Sequence, residues 1–112
     1  MKNDLLKKVC VACEGGDVKP FDHERAEEYM VDVKGWVLSE DYKSISRMYK
    51  FQDFIGAINF VSRVADVAEM EGHHPDIYVH DYNKVLLTLS THAIGGLSEN
   101  DYIVAAKIDA QG

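Results

Sequence analysis

The chain is predicted to be α+β: one four-stranded antiparallel sheet with helices packed on one face, in the order α-β-β-α-β-β-α. Three observations predict it. Residues 44–51 alternate apolar-capable and polar positions, Ile45, Arg47, Tyr49 and Phe51 against Ser44, Ser46, Met48 and Lys50. A long stretch after Asp53 carries apolar residues at three- and four-residue spacing. Two further apolar runs, "IYVH" and "KVLLTLST", flank the turn-prone "DYN". Two hairpins separated by a helix make one antiparallel sheet, whose second face stays wet or is covered by another subunit.

The elements follow in order. "DHERAEEYMVDV" reads as a helix: Asp22 is the N-cap, Glu24 sits in the first turn, and Ala26, Tyr29, Met30 and Val33 mark one side. Gly35 ends it. "WVLSE" and "KSISRMYKF" form a hairpin that turns near Glu40–Tyr42. Asp53 caps the longest helix, with Phe54, Ile58, Val61, Ala65 and Ala68 as the apolar stripe and Ala57 and Val64 broadening it. Gly72 occupies the position after the helix where positive φ is needed. The second hairpin centres on Tyr82. Ser98 caps the last helix, with Asp101 at the third position of a capping-box-like pattern.

Length and charge narrow the function. The 112 residues make one domain, 1–112, with residues 1–20 as an N-terminal arm. Twelve basic against 19 acidic residues give a net charge of −7. Nucleic acid and anionic membranes are thereby disfavoured as partners, since both need clustered Lys and Arg. Asp4, Lys7 and Lys8 interrupt any secretory apolar region, and no run approaches the ~18–20 apolar residues of a membrane span. A cytoplasmic protein is expected. Cys10 and Cys13 form a lone C-x-x-C that lacks the second ligand pair of a structural zinc site and the strand–helix setting of a redox motif. They read as two reduced thiols.

Three of the five histidines stand at the two ends of "EGHHPDIYVHDYNKVLLTLSTH". With the turn centred on Tyr82, numbers of opposed residues sum to about 164. Val79 then faces Val85 and Ile77 faces Leu87. By the same register His73 lies across from Thr91, His74 from Ser90, and His92 from Gly72. His73, His74 and His92 therefore converge at the end of the long helix. Pro75 forces His74 into an extended conformation, so the two adjacent imidazoles point to different sides. His23 and His80 read as surface or hydrogen-bonded structural residues. Three imidazoles can bind a catalytic metal with one open position, or can act as acid, base and orienting donor without one. Vicinal histidines before a proline are poorly disposed to share one ion, and the nearby carboxylates are only Glu69, Glu71 and Asp76, which favours metal-free proton transfer.

These residues carry a resemblance. Glu69, His73, His74, Pro75, Tyr82, His92 and Asp101, with the flanking "YKFQDF", "LSTH" and "GLSENDY", resemble the signature of the pterin-4a-carbinolamine dehydratases over nearly the whole chain. The resemblance implies a hydro-lyase that removes water from 4a-hydroxytetrahydropterin to give quinonoid dihydropterin, recycling the cofactor of aromatic amino-acid hydroxylases. It implies no metal and no further cofactor, the pterin being the substrate, and assembly as a homodimer or homotetramer. Carried over, His73, His74 and His92 are the catalytic and pterin-contacting histidines. Glu69 orients a histidine or joins the proton relay. Ser90, Thr91, His92 and Ala93 line the pocket, and Gly72 allows close approach. Asp101 reads as a helix-capping carboxylate, Pro75 as geometry, and Tyr82 as either packing or pocket rim. Ile77, Ala93–Ile94 and a longer hairpin turn depart from the mammalian pattern and suit a bacterial-type member. Two other functions fit the same fold: an oligomeric interaction module without catalysis, and a related pterin task in molybdopterin metabolism.

Overall fold

A computed structural model describes residues 5–8 and 19–111, so the Cys10–Cys13 pair and most of the N-terminal arm lie outside the described residues. Three α-helices and four strands follow the expected order: α1 (His23–Tyr29), β1 (Val37–Leu38), β2 (Ile45–Lys50), α2 (Phe54–Glu71), β3 (Asp76–His80), β4 (Lys84–Leu89) and α3 (Glu99–Ala110). One-turn 3₁₀ helices at Leu5–Lys7, Met30–Asp32 and His92–Ile94 are additions that no periodicity announces. The sheet is antiparallel throughout, in the order β1-β2-β4-β3, which leaves β1 and β3 as edges. No helix among the described residues is long and apolar enough to cross a membrane.

Local chemistry sets the boundaries. Asp22 accepts the Arg25 N–H at 2.8 Å and Asp53 the Gly56 N–H at 2.8 Å, satisfying donors that a helix start leaves orphaned. Gly72, at φ 65, ends α2 in the left-handed region. Strand β1 is shorter than "WVLSE" suggests. Trp36 is buried and donates Nε1–H to Asp109, while the Ser39 hydroxyl accepts the Ser44 and Lys43 N–H groups and starts the turn early.

The core lies between the sheet and the helices. Val85, Leu87 and Leu89 of β4 are fully buried, and Ile45, Arg47 and Tyr49 of β2 stand on the same face. Helix α3 is wrapped on nearly all sides, with Asn100 to Ala106 and Ile108 buried. Each large apolar side chain so enclosed contributes about 1.5–3 kcal/mol. On α2 the buried face is Ala57, Phe60, Val64, Val67 and Ala68. The stripe expected from spacing is only partly this one. Ala57, Val64 and Ala68 belong to it, Val61 is half-buried, and Phe54, Ile58 and Ala65 stay exposed. Apolar residues cover so much of this helix that two stripes satisfy the same period, and only packing against α3 and β4 chooses between them.

The β3–β4 register pairs Val79 with Val85 and Ile77 with Leu87, as the hairpin centred on Tyr82 requires. Its tip is strained: Asp81 and Tyr82 both have positive φ, 48° and 53°. Side chains there are disfavoured by about 1–2 kcal/mol per residue. Asn83 holds the tip: its carbonyl accepts the Phe51 N–H at 2.8 Å, and its side-chain amide donates to the Phe51 carbonyl at 2.9 Å. Tyr82 is 64% exposed and lies at the opposite end of the hairpin from His73 and His92. It neither packs in the core nor rims that corner. Replacing Tyr82 by Gly removes the strain and loses little contact. The expected gain is about 0.5–1 kcal/mol after the entropy that glycine returns to the unfolded chain. A rise of about 2–5 °C in melting temperature by calorimetry checks it; an unchanged or lower value contradicts the strain.

Candidate active site

Three elements meet at the end of the second hairpin remote from Tyr82. Helix α2 ends at Gly72, the chain passes His73, His74 and Pro75 into β3, and β4 runs out through Ser90 and Thr91 to His92. The β3–β4 ladder ends at Asp76 opposite Thr88. The pairs expected beyond it, His73 with Thr91, His74 with Ser90 and His92 with Gly72, do not form. Pro75 has no N–H to continue the ladder. The His73 N–H turns back to the Ala68 carbonyl at 3.2 Å, and Thr91 bridges to Gly96 instead.

His73 and Thr91 are joined through a different residue. The Asp101 side chain is fully buried, and its Oδ1 lies 2.6 Å from His73 Nε2. Its Oδ2 accepts the Thr91 hydroxyl at 2.8 Å and the Ser98 N–H at 3.0 Å. A carboxylate that receives an N–H and an O–H on one oxygen is an acceptor, so His73 presents Nε2–H to the other. When neutral, His73 then keeps the Nδ1 lone pair free. The Thr91 hydrogen being committed to Asp101, the Ser98 hydroxyl donates to Thr91 across 2.8 Å. The donors thus converge on Asp101, from Ser98 through Thr91 on one oxygen and from His73 on the other, and Ser98 and Asp101 complete the α3 capping box at the same time. Asp101 does what its spacing promised and also holds an imidazole. No linear signal foretold that contact, which spans 28 positions.

His74 sits differently. Its Nε2 is 2.5 Å from Glu69 Oε2, and the two side chains are 59% and 77% exposed. The His73 side chain is only 13% exposed. The extended backbone before Pro75 carries His74 outward while His73 points in. Glu69, on the last turn of α2, is therefore the partner of one histidine and Asp101 of the other. His92 opens the 3₁₀ turn His92–Ile94, its carbonyl accepting the Gly95 N–H at 3.2 Å; it and Ala93 are exposed, and no hydrogen bond ties the His92 imidazole to a described residue. Ser90 is half-buried, and Thr91 is buried with its hydroxyl turned into the Asp101 network rather than toward solvent. Gly72 is exposed, with open space where a side chain would stand. His80 belongs elsewhere: it contacts Asp81 and Met48 and stacks on Tyr78 on the open sheet face. His23 stacks on Tyr42 at 3.9 Å. No three His, Cys, Asp or Glu side chains among the described residues are grouped to hold a metal ion.

The fold and this corner define an α+β protein with two imidazole–carboxylate pairs, one buried and one open, at the mouth of a β-hairpin. The chain belongs to the pterin 4 alpha carbinolamine dehydratase family, whose model matches residues 19–111. A protein of Halorhodospira halophila, provisionally named pterin-4-alpha-carbinolamine dehydratase, is 49% identical over 108 residues, covering 96% of this chain and 97% of its own. Pterin-4-alpha-carbinolamine dehydratase 2, mitochondrial, of Arabidopsis thaliana is 42% identical, covering 95% of this chain and 58% of its own. Among solved structures, a Brucella Melitensis protein described as a transcriptional coactivator/pterin dehydratase superposes with a TM-score of 0.76 at 33% identity, covering 82% of this chain and 97% of its own.

The Asp101 network predicts a stability cost. Thr91→Val keeps the side-chain volume but leaves Asp101 short of one donor. Denaturant unfolding should show a loss of about 1–3 kcal/mol, with most of it restored in Thr91→Ser. Equal stability of Thr91→Val and wild type would mean the hydroxyl does not carry the buried carboxylate.

Proposed function

We propose that this chain is a 4a-hydroxytetrahydropterin dehydratase that works by proton transfer between imidazoles. The observation that carries the reading is the pair of unlike histidine–carboxylate contacts, His73 with buried Asp101 and His74 with exposed Glu69. The reaction breaks the bond between C4a and its hydroxyl and takes the hydrogen from N5, forming the C4a–N5 double bond and water. One group must give a proton to the departing hydroxyl and another must take one from nitrogen. His73, with Nδ1 free and its ring fixed, is the acceptor. His74, whose ring is held by Glu69 at the exposed side of the corner, donates to the hydroxyl there. His92, exposed across the corner, contacts the pterin and assists the transfer. Ser90 and Ala93 offer backbone groups to the flat ring, and Gly72 leaves room for it. No step calls for a metal or a redox cofactor. The product is the quinonoid dihydropterin, whose reduction would return the cofactor to an aromatic amino-acid hydroxylase.

The decay of 4a-hydroxytetrahydropterin, followed by its absorbance, tests this. His74→Ala and His92→Ala should each lower the rate by at least ~10²-fold, and a chelator should leave wild type unchanged. Full turnover in both variants would remove the proton-transfer reading, and loss of turnover with chelator would replace it with a metal.

Self-association belongs to the same proposal. Phe54, Ile55 and Ile58 are 50%, 65% and 38% exposed along one side of α2, a stripe suited to covering by a second copy. Ile58→Glu should reduce the mass measured by light scattering toward that of one chain, with the circular dichroism spectrum retained. A wild type that is already monomeric sinks this part.

A further inference from the structure

A cavity of about 280 Å³ opens where β2, α2 and the last turn of α3 meet. Its walls include Arg47, Tyr49, Phe51, Phe60, Arg63 and Asp109. This is not the histidine corner. Asp101 joins that corner to the first turn of α3, and Asp109 lies eight residues on, about 12 Å along the helix. Nor is it the apolar stripe of α2, since at 3.6 residues per turn Arg63 stands on the opposite side of the helix from Phe54.

The chemistry of the cavity is specific. Phe60 packs against Tyr49 at 4.5 Å and against Phe51 at 5.0 Å, making an aromatic wall. Asp109 is held by three donors: it accepts the Tyr49 hydroxyl at 2.6 Å, the Trp36 indole N–H at 2.8 Å and Arg47 Nη1 at 3.2 Å. Burial, then the bond to Asp109, push the Tyr49 phenol well above its ordinary range and keep it a donor. Arg47 is fixed over the Tyr49 ring at 4.8 Å. Arg63 is different. It is exposed, it forms no ion pair with a described residue, and its guanidinium lies over the Phe60 face, 6.0 Å from the ring centre. Among the described residues lining the cavity, two arginines against one aspartate leave a single positive charge, in a chain whose net charge is −7. An aromatic wall beside one uncommitted guanidinium matches a ligand with a flat ring and one negative charge. A guanidinium fork takes a carboxylate through two parallel hydrogen bonds.

We propose that this cavity binds a small aromatic carboxylate, its ring against the wall of Tyr49, Phe51 and Phe60 and its carboxylate on Arg63. The assignment does not depend on the reaction proposed for the histidines. Titration of 3-phenylpropionate into the ¹⁵N-labelled full chain tests it, with 3-phenylpropan-1-ol and phenyl phosphate as companions. Saturable binding with a dissociation constant of ~1 mM or below is expected, with shifts at Phe60, Arg63 and the end of α3. Arg63→Gln, at an exposed helical position, should weaken it by about 10-fold or more, and Arg63→Lys should retain part of it. The uncharged alcohol should bind as weakly as 3-phenylpropionate binds to Arg63→Gln. No saturation by about 20 mM, or equal affinity in Arg63→Gln, would overturn the site. Shifts at His73 and His92 instead would move the ligand to the histidine corner, and tighter binding of phenyl phosphate would overturn the monoanion.

Discussion

A carboxylate with no exposure to solvent is costly unless every lone pair finds a donor, and Asp101 is such a group. Its donors come from three places: the Ser98 backbone at the start of α3, Thr91 beyond the end of β4, and His73 just past α2. One anion therefore sets the relative positions of two helices and a strand. The demand is mutual, because α3 is enclosed on almost every side and cannot slide to seek other partners. The same joint that closes the fold sets the plane of the His73 ring.

The two adjacent histidines then acquire different characters from their surroundings alone. His73 is mostly enclosed and bound to a carboxylate that packing cannot release. His74 is held by a carboxylate as exposed as itself, and such a surface pair is easily rearranged when a ligand arrives. Unlike environments for neighbouring titratable groups are how a single site comes to offer both a proton donor and a proton acceptor. In the proposed reaction the rigid member receives and the mobile member gives.

Much of this was readable in the chain. The caps at Asp22 and Asp53, the left-handed Gly72, the Ser98–Asp101 box and the register about Tyr82 all follow from chemistry within a few residues, and all are present. What was not readable depends on distant neighbours. The buried face of α2 could not be chosen while Phe54 and Phe60 lay on equally periodic stripes. The continuation of the hairpin through His73 and Thr91 assumed a ladder that Pro75 interrupts. The second role of Asp101 is a contact between residues 28 apart, and a capping motif already explained the residue, so nothing invited a further reading. The resemblance assigned Thr91 to the pocket wall together with Ser90 and His92, and its hydroxyl is turned to Asp101.

The turn that carries His92 is closed at its base and fastened from behind. Thr91 and Gly96 bridge across it, and Gly96 lies so near Pro20 that a methyl group on it would stand 2.8 Å from the proline Cβ. The Phe21 N–H reaches the Leu97 carbonyl at 2.8 Å on the same side. This turn is a stiff bracket and not a flap. In the proposed reaction, entry and exit of the pterin therefore fall to the side chains of His92 and His74, with the peptide frame standing still. Selection among ring systems falls to shape, because a fixed frame has no means of remoulding itself around a misfitting guest.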